Sequence, residues 1–424
     1  MSTWRRWLVV GALVAGGLPE VARASEMDVL LNKLVEKGIL TAGEAQEVRH
    51  DMEPELAAKD QALEDQLKQA GPDWAQRIAL NGDLRLRNEY RDRTDASDAN
   101  RQRIRFRLGM QAAVTEQLEV GARMATGSAP GDLTEGSDPV PTNQTLSDTF
   151  AKKHFNLDQA YVKYSPTLPP EALQATVWGG IFENPFVATP FIWDPDLTFG
   201  GAAVQLAYAL GPVEPFLNGG IFPIDADGFG TDTPSLWAVQ GGIAVTPGLT
   251  TGVEVLDRMR LKTALAYYDY RNTVKNAVIN TQAGNTAAAE DFNELNPSVE
   301  LASTAFGGTP IALWTDWVHN TAAPAQANGF QVGMRLGKAT VPWDLRQGWE
   351  LGYFYERLGA DAAFDAFVDS DFGGGGTNHQ GHVWYLTLAA LRHSTIGLKY
   401  FHVEEVRGAK SHEDWLQTDW VTQF

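Results

Sequence analysis

The segment RQRIRFRLGMQAAV (101–114) places arginine at 101, 103, 105 and 107, with Gln102, Ile104, Phe106 and Leu108 between them. Strand side chains alternate between two faces, so the spacing makes one face basic and the other mostly apolar. A row of guanidinium groups is suited to orienting or selecting charged solutes. The upstream segment LNGDLRLRNEY repeats the device. Leu80, Gly82, Leu84, Leu86 and Tyr90 share one parity, while Asn81, Asp83, Arg85, Arg87 and Glu89 share the other. Arg91 and Arg123 extend the basic set, and Asp83, Glu89 and Glu119 are close enough in sequence to pair with it. Two readings follow: a ladder of free cations, or a network of ion pairs filling an interior.

Other chemistries have little support. The chain has no cysteine, which removes disulfides and thiolate sites, and its 34 basic against 53 acidic residues give a formal charge of −19, which speaks against nucleic acid as a partner. No G-x-S-x-G, phosphate loop or H-E-x-x-H is present. His379 and His382 are three apart and do not share a strand face; GGGGTNHQGH around them reads as a flexible external loop. Asp365, Asp369 and Asp371 lack the spacing of a calcium loop. Neither a cofactor, a metal nor a catalytic residue is expected.

The elements that must position the arginines come next. MSTWRRWLVVGALVAGGLPEVARA has a basic start, an apolar run and a small-x-small end, which reads as a signal peptide over 1–24. Its removal takes away Arg5, Arg6, Arg23 and Glu20, a net +2, leaving −21. Residues 25–72 carry helical spacing (Leu30, Leu31, Leu34, Val35) and a Leu56, Leu63, Leu67 series hinting at a coiled coil, so a short helical periplasmic segment is expected. From 73 to 424 the period becomes two. About sixteen strands fit, with 154–165, 212–222, 295–306 and 310–318 alternating least. Connections sort by parity: TEQ, GP, TPG, GGT and HS are tight, whereas 128–153, 183–197, 223–235, 272–294 and 359–381 are long. Tight turns at one end and long loops at the other fit an all-β transmembrane antiparallel barrel.

These features carry a resemblance. The helical lead LLNKLVEKGILTAGEAQEVR, NGDLRLRNEYR, the arginine-rich strand, LDQAYVKY, YYDYRN and the Phe-terminated last strand are similar to the putative porin family of Gram-negative bacteria. The resemblance implies an outer-membrane barrel that passes small hydrophilic solutes or ions passively. It also implies Trp420 and Phe424 as the membrane-assembly signal read by the barrel-assembly machinery and outer-membrane lipid as surroundings; analogy with general porins and the coiled-coil spacing suggest a homotrimer. In a barrel Arg85, Arg87, Arg91, Arg103, Arg105, Arg107 and Arg123 line the pore, because a lipid-facing arginine costs roughly 2–4 kcal/mol near the midplane.

By analogy with general porins, whose third external loop folds into the lumen, the third external connection, ENPFVATPFIWDPD (183–196), folds inward as a constriction. It offers Glu183, Asp194 and Asp196 opposite the arginine wall. Two alternatives stand beside this reading. One is a structural barrel tethering the outer membrane through its N-terminal segment. The other is a lipid hydrolase, for which His319 and His402 lack an evident serine partner.

Overall fold

The computed structural model describes Lys37, Thr41 and residues 77–424, the latter without 95–96, 130–138, 141, 147–148, 225–232, 247–256, 274–283, 287–290, 307 and 409–410. The expected signal peptide and helical segment thus lie outside the described residues.

Period-two alternation becomes strand throughout: β1 Ile78–Arg93, β2 Ala99–Ala113, β3 Leu118–Gly127, β4 Gln144–Thr145, β5 His154–Tyr164, β6 Leu173–Phe182, β7 Phe199–Tyr208, β8 Val213–Pro223, β9 Ser235–Val245, β10 Met259–Arg271, β11 Phe292–Phe306, β12 Thr309–Asn320, β13 Asn328–Gly337, β14 Trp349–Leu358, β15 His379–Leu391, β16 Ser394–Glu405 and β17 His412–Gln423. Each pairs antiparallel with its neighbour, and β17 returns to β1 from Asp83↔Gln423 to Arg93↔Glu413. β4 is a two-residue piece that pairs with β2 above the end of β3, so sixteen strands form the closed ring. Closure leaves no unpaired edge, and strands of 10 to 16 residues are long enough to cross a hydrocarbon layer at a tilt. The four least regular segments are all strands (β5, β8, β11 and β12).

The faces divide by parity. Leu86, Leu108, Met110, Val162, Val204, Leu265, Leu313, Met334 and Leu398 point outward and are about half exposed. Asp83, Arg87, Glu89, Arg105, Gln240, Glu294, Asp316 and Glu356 are buried on the inner face. Apolar outside and polar inside inverts a water-soluble fold and matches a barrel set in lipid.

Connections follow the expected sorting as a tendency. 114–117, 209–212 and 392–393 are tight, but the connection read as TPG runs from Val245 to Met259, and 338–348 is also long. At the other end 94–98 is short, while 183–198 and 359–378 are long and turn inward. Their apolar residues, among them Phe186, Phe191, Ile192, Trp193, Phe364 and Val368, form one core with Phe222, Leu236, Tyr268, Tyr270 and Phe292 from the inner faces of β8 to β11. The main apolar core of this molecule therefore lies inside the ring.

Candidate functional site

Every arginine expected on the wall has a carboxylate partner. Arg105 and Arg107 both donate to Asp83, Arg105 at 3.0 Å. Glu89, wholly buried, accepts from Arg101 at 2.6 Å and Arg103 at 3.3 Å, with Arg87 at 3.8 Å. Arg87 also donates to Asp419 at 2.7 Å and Asp371 at 2.9 Å. Arg91 pairs with Glu413 at 2.6 Å and stacks on Trp415. Arg123 pairs with Asp158 on β5. Arg85 donates to Asn143 at 3.2 Å and lies 3.9 Å from Asp196. Alternation on β1 to β3 aims these groups inward, and acids on the same strands, on β17 and on the two loops meet them.

The three loop acids take different places. Asp196 is buried against the wall, 3.0 Å from Arg105 and 3.6 Å from Arg107, and accepts from the Thr142 hydroxyl at 2.7 Å. Asp194 turns to the second inward loop, where it accepts from the Ser370 backbone N–H at 2.8 Å. Glu183 is exposed. Thus only Asp196 touches the arginines, and it does so in direct contact.

The loop 359–378 is not the flexible external loop that GGGGTNHQGH suggests. It is packed instead. Asp361, Ala362, Ala363, Phe364 and Asp365 are almost fully buried, and Asp371 joins Arg87. Backbone bonds tie it to the first loop, Asp194 N–H to Phe367 O at 2.8 Å and Asp369 N–H to Pro190 O at 3.1 Å. The first loop is in turn fixed to the far wall. Gln240 of β9 bonds both the N–H and the carbonyl of Val187, and Asp316 of β12 accepts from Thr189. The pair of loops spans the interior, ion-paired on one side and apolar on the other. The sequence signal was there in ADAAFDAFVDSDF, since alanine and phenylalanine at this density do not suit a solvated loop.

Below the loops lies an interior cavity of about 830 Å³. Its lining includes Lys262, Glu300, Trp314, Arg335, Tyr385 and Lys399. Each of these is a single charge or ring at one inward position, with no repeat in the sequence to mark it. Among the described residues there is no cluster of metal-ligating side chains. His402 pairs with Asp414 at 2.8 Å and His319 with Asn328 at 2.9 Å, and neither of these contacts involves a serine.

The geometry meets its relatives at this point. A family model described as Putative porin matches residues 90–300 and 274–424. The chain belongs to that family. No curated protein matches it. Among solved structures the porin is similar to the high-pH structure of Pseudomonas putida OprB, at 14% identity and a TM-score of 0.54, covering 82% of this chain and 95% of that one. A triple mutant of Rhodopseudomonas blastica porin aligns at 10% identity and a TM-score of 0.42, over 82% of this chain and 100% of its own. The protein is an outer-membrane porin, a transmembrane channel barrel.

The loop acids are expected to give this porin a pH dependence. Burial, then Asp369 and Asp196, pushes the Asp194 carboxyl up to about 8. Burial also raises Asp369, against the pull of Lys399. Burial opposes the charge of Asp371 too, yet Arg87, then Lys399 and Arg85, outweighs it and holds that carboxyl well below its usual range. A carboxyl whose pKa is raised in the docked loops stabilises docking fully below its ordinary value of 3.8. That contribution is lost as pH climbs through about 8. Asp371 has the opposite sign, and its contribution fades only in strong acid. Docking therefore weakens from about pH 4 to 8. Single-channel conductance is expected to rise over that range, and Asp194→Asn to flatten the rise. A conductance that falls with increasing pH in the wild type contradicts this assignment.

Proposed function

We propose that the protein passes small hydrophilic solutes and ions by passive diffusion, along an interior path bounded by the two inward loops and continued through the cavity beneath them. The observation that carries this is the cavity of about 830 Å³ inside a closed sixteen-strand ring with a polar inner face. A ring of this size encloses an aqueous lumen unless something fills it, and here loops narrow one end of it.

In this reading Arg85, Arg87, Arg91, Arg103, Arg105, Arg107 and Arg123 line the wall as a clasp. Their charges are matched by Asp83, Glu89, Asp158, Asp196, Asp371, Glu413 and Asp419, so they hold strands and loops in place more than they attract anions. Asp194 and Asp196 act at the constriction by fixing the loops, while exposed Glu183 stays peripheral to it. Trp420 faces outward from β17 and Phe424 follows it, both exposed, where an assembly factor can read them. Export by the signal peptide, insertion by the barrel-assembly machinery, a homotrimer, a periplasmic helical lead and the absence of any catalytic activity complete the proposal.

Planar-bilayer recording of refolded protein tests it. Stable conductance steps are expected. Arg107→Gln should leave the reversal potential under a salt gradient nearly unchanged, because Asp83 keeps Arg105 as its partner. A barrel that inserts and never conducts would overturn the diffusion reading.

A further inference from the structure

The seven wall arginines are ion-paired in direct contact, whereas the cations that line the cavity are not. Lys262 on β10, Arg335 on β13 and Lys399 on β16 line the cavity, and among the described residues none has a carboxylate within ion-pair distance. Lys262 and Lys399 instead lie over aromatic rings, Lys262 over Phe216 and Lys399 over Phe354 and Phe401. Three acids share the lining. Asp419 is taken by Arg87, burial moves Asp369 toward its neutral form, and Glu300 sits directly across the β10–β11 ladder from Lys262. Arg335 and Lys399 have no carboxylate in direct contact; Glu350 acts on Arg335, and Asp369, Asp371 and Glu356 act on Lys399, only from a distance, so both heads stay open to the cavity.

The register places these two on one level of the barrel. Arg335 pairs with Gly352, Gly352 with Tyr385, and Tyr385 with Lys399. Lys262, Glu300, Trp314 and Gly333 form the adjoining level. Both glycines have a purpose there. Any side chain at Gly352 would overlap the Tyr385 ring, and any at Gly333 would overlap Trp314. Glycine lets the two rings lie flat along the wall, which keeps the cavity wide and turns a ring face toward its interior. The Tyr385 hydroxyl makes no hydrogen bond among the described residues and is available to a ligand.

We infer that this cavity is a binding site for small organic anions, a carboxylate on an apolar or aromatic body. Arg335 and Lys399 would hold the carboxylate and Trp314 and Tyr385 would lie against the body. The inference deepens the diffusion reading, since the site lies on the proposed path. A guanidinium fork and an ammonium on either side of a phenol suit a carboxylate, and flat rings reward an apolar body more than a bare halide. The volume is that of sites for molecules of this size. Binding is expected to be weak, since a solute that must leave again cannot be held tightly.

The test separates binding from conduction. Refolded full-length protein in detergent is titrated calorimetrically with benzoate and with benzamide, its neutral counterpart. The same protein is recorded in bilayers with benzoate on one side. Benzoate is expected to bind and to cause brief current blocks, and benzamide to do neither. The double variant Arg335→Gln with Lys399→Gln should bind benzoate at least tenfold more weakly and lose the blocks. Should that variant misfold, Arg335→Lys with native Lys399 keeps the charge without the fork and should retain blocks of shorter duration. Equal benzoate binding by wild type and double variant, or equal binding of benzoate and benzamide, overturns the site. Calorimetric binding without conductance would sustain the site and fail the diffusion reading; conductance without benzoate binding would do the reverse.

Discussion

Replacing Glu89 by glutamine is expected to destabilise the barrel by about 3–5 kcal/mol, the range for removing one partner from a buried ion cluster. Glu89 is fully buried and serves Arg101, Arg103 and, at longer range, Arg87. These three are not equally dependent on it. Arg87 keeps Asp371 and Asp419, and Arg101, about a third exposed, can turn toward water. Arg103 is different. It is largely buried, and its other bond is to the backbone carbonyl of Asn143. Glutamine keeps the volume and one acceptor but not the charge, so Arg103 is left as a nearly uncompensated cation. The control is Arg271→Gln, whose pair with Asp269 is half exposed and should contribute at most about 1 kcal/mol. Urea unfolding in lipid vesicles, followed by tryptophan emission, measures both. A loss below about 1 kcal/mol for Glu89→Gln would mean that water reaches the cluster and that the arginine wall is solvated.

What the sequence made legible follows from the contrast between two solvents. Lipid outside and polar interior inside impose period two on every strand, so β1, β2 and β3 and the inward parity of their arginines could be read from spacing alone. The destination of those arginines could not. Asp371 lies 284 positions from Arg87, and Asp419 lies 332 positions away; nothing local signals either contact. The same holds for 359–378. Its burial depends on Trp193 and Pro190 of another loop and on Glu294 of β11, which accepts from the Phe364 N–H at 2.8 Å. β12 alternated poorly because Trp314, Asp316 and Val318 all serve the interior, one at the cavity, one at the loop anchor and one in the core. A mixed interior erases the simple rule that the inner face is polar. Tight turns were legible at TEQ, GP and HS, and misread at TPG, where β9 ends at Val245 and β10 begins at Met259.

Excision of 186–193 is expected to raise single-channel conductance severalfold, the largest functional effect available in this molecule. The segment contributes Phe186, Phe191, Ile192 and Trp193 to the interior core, each nearly inaccessible. Its anchors at Gln240 and Asp316 would be lost with it, as would the Pro190 carbonyl that holds Asp369. The second loop would then keep its hold at Arg87 and Glu294 but lose its apolar partner. Two effects compete. Removing four large side chains widens the path, whereas exposing Phe199, Phe222 and Tyr268 favours collapse of 359–378 onto them. Collapse cannot refill the space, because the loop is still tied at both ends and already packed against Tyr270 and Phe292. Trp193→Ala separates these effects. That ring lies 4.9 Å from Phe199, 5.1 Å from Tyr268 and 6.0 Å from Phe367, so its loss loosens the contact between the loops without shortening either. Noisier current at a modestly higher mean is the expected outcome for Trp193→Ala, with quiet wide steps for the excision. If both variants conduct as the wild type does, the two loops lie beside the solute path and the clasp of arginines holds a structural plug, not a constriction.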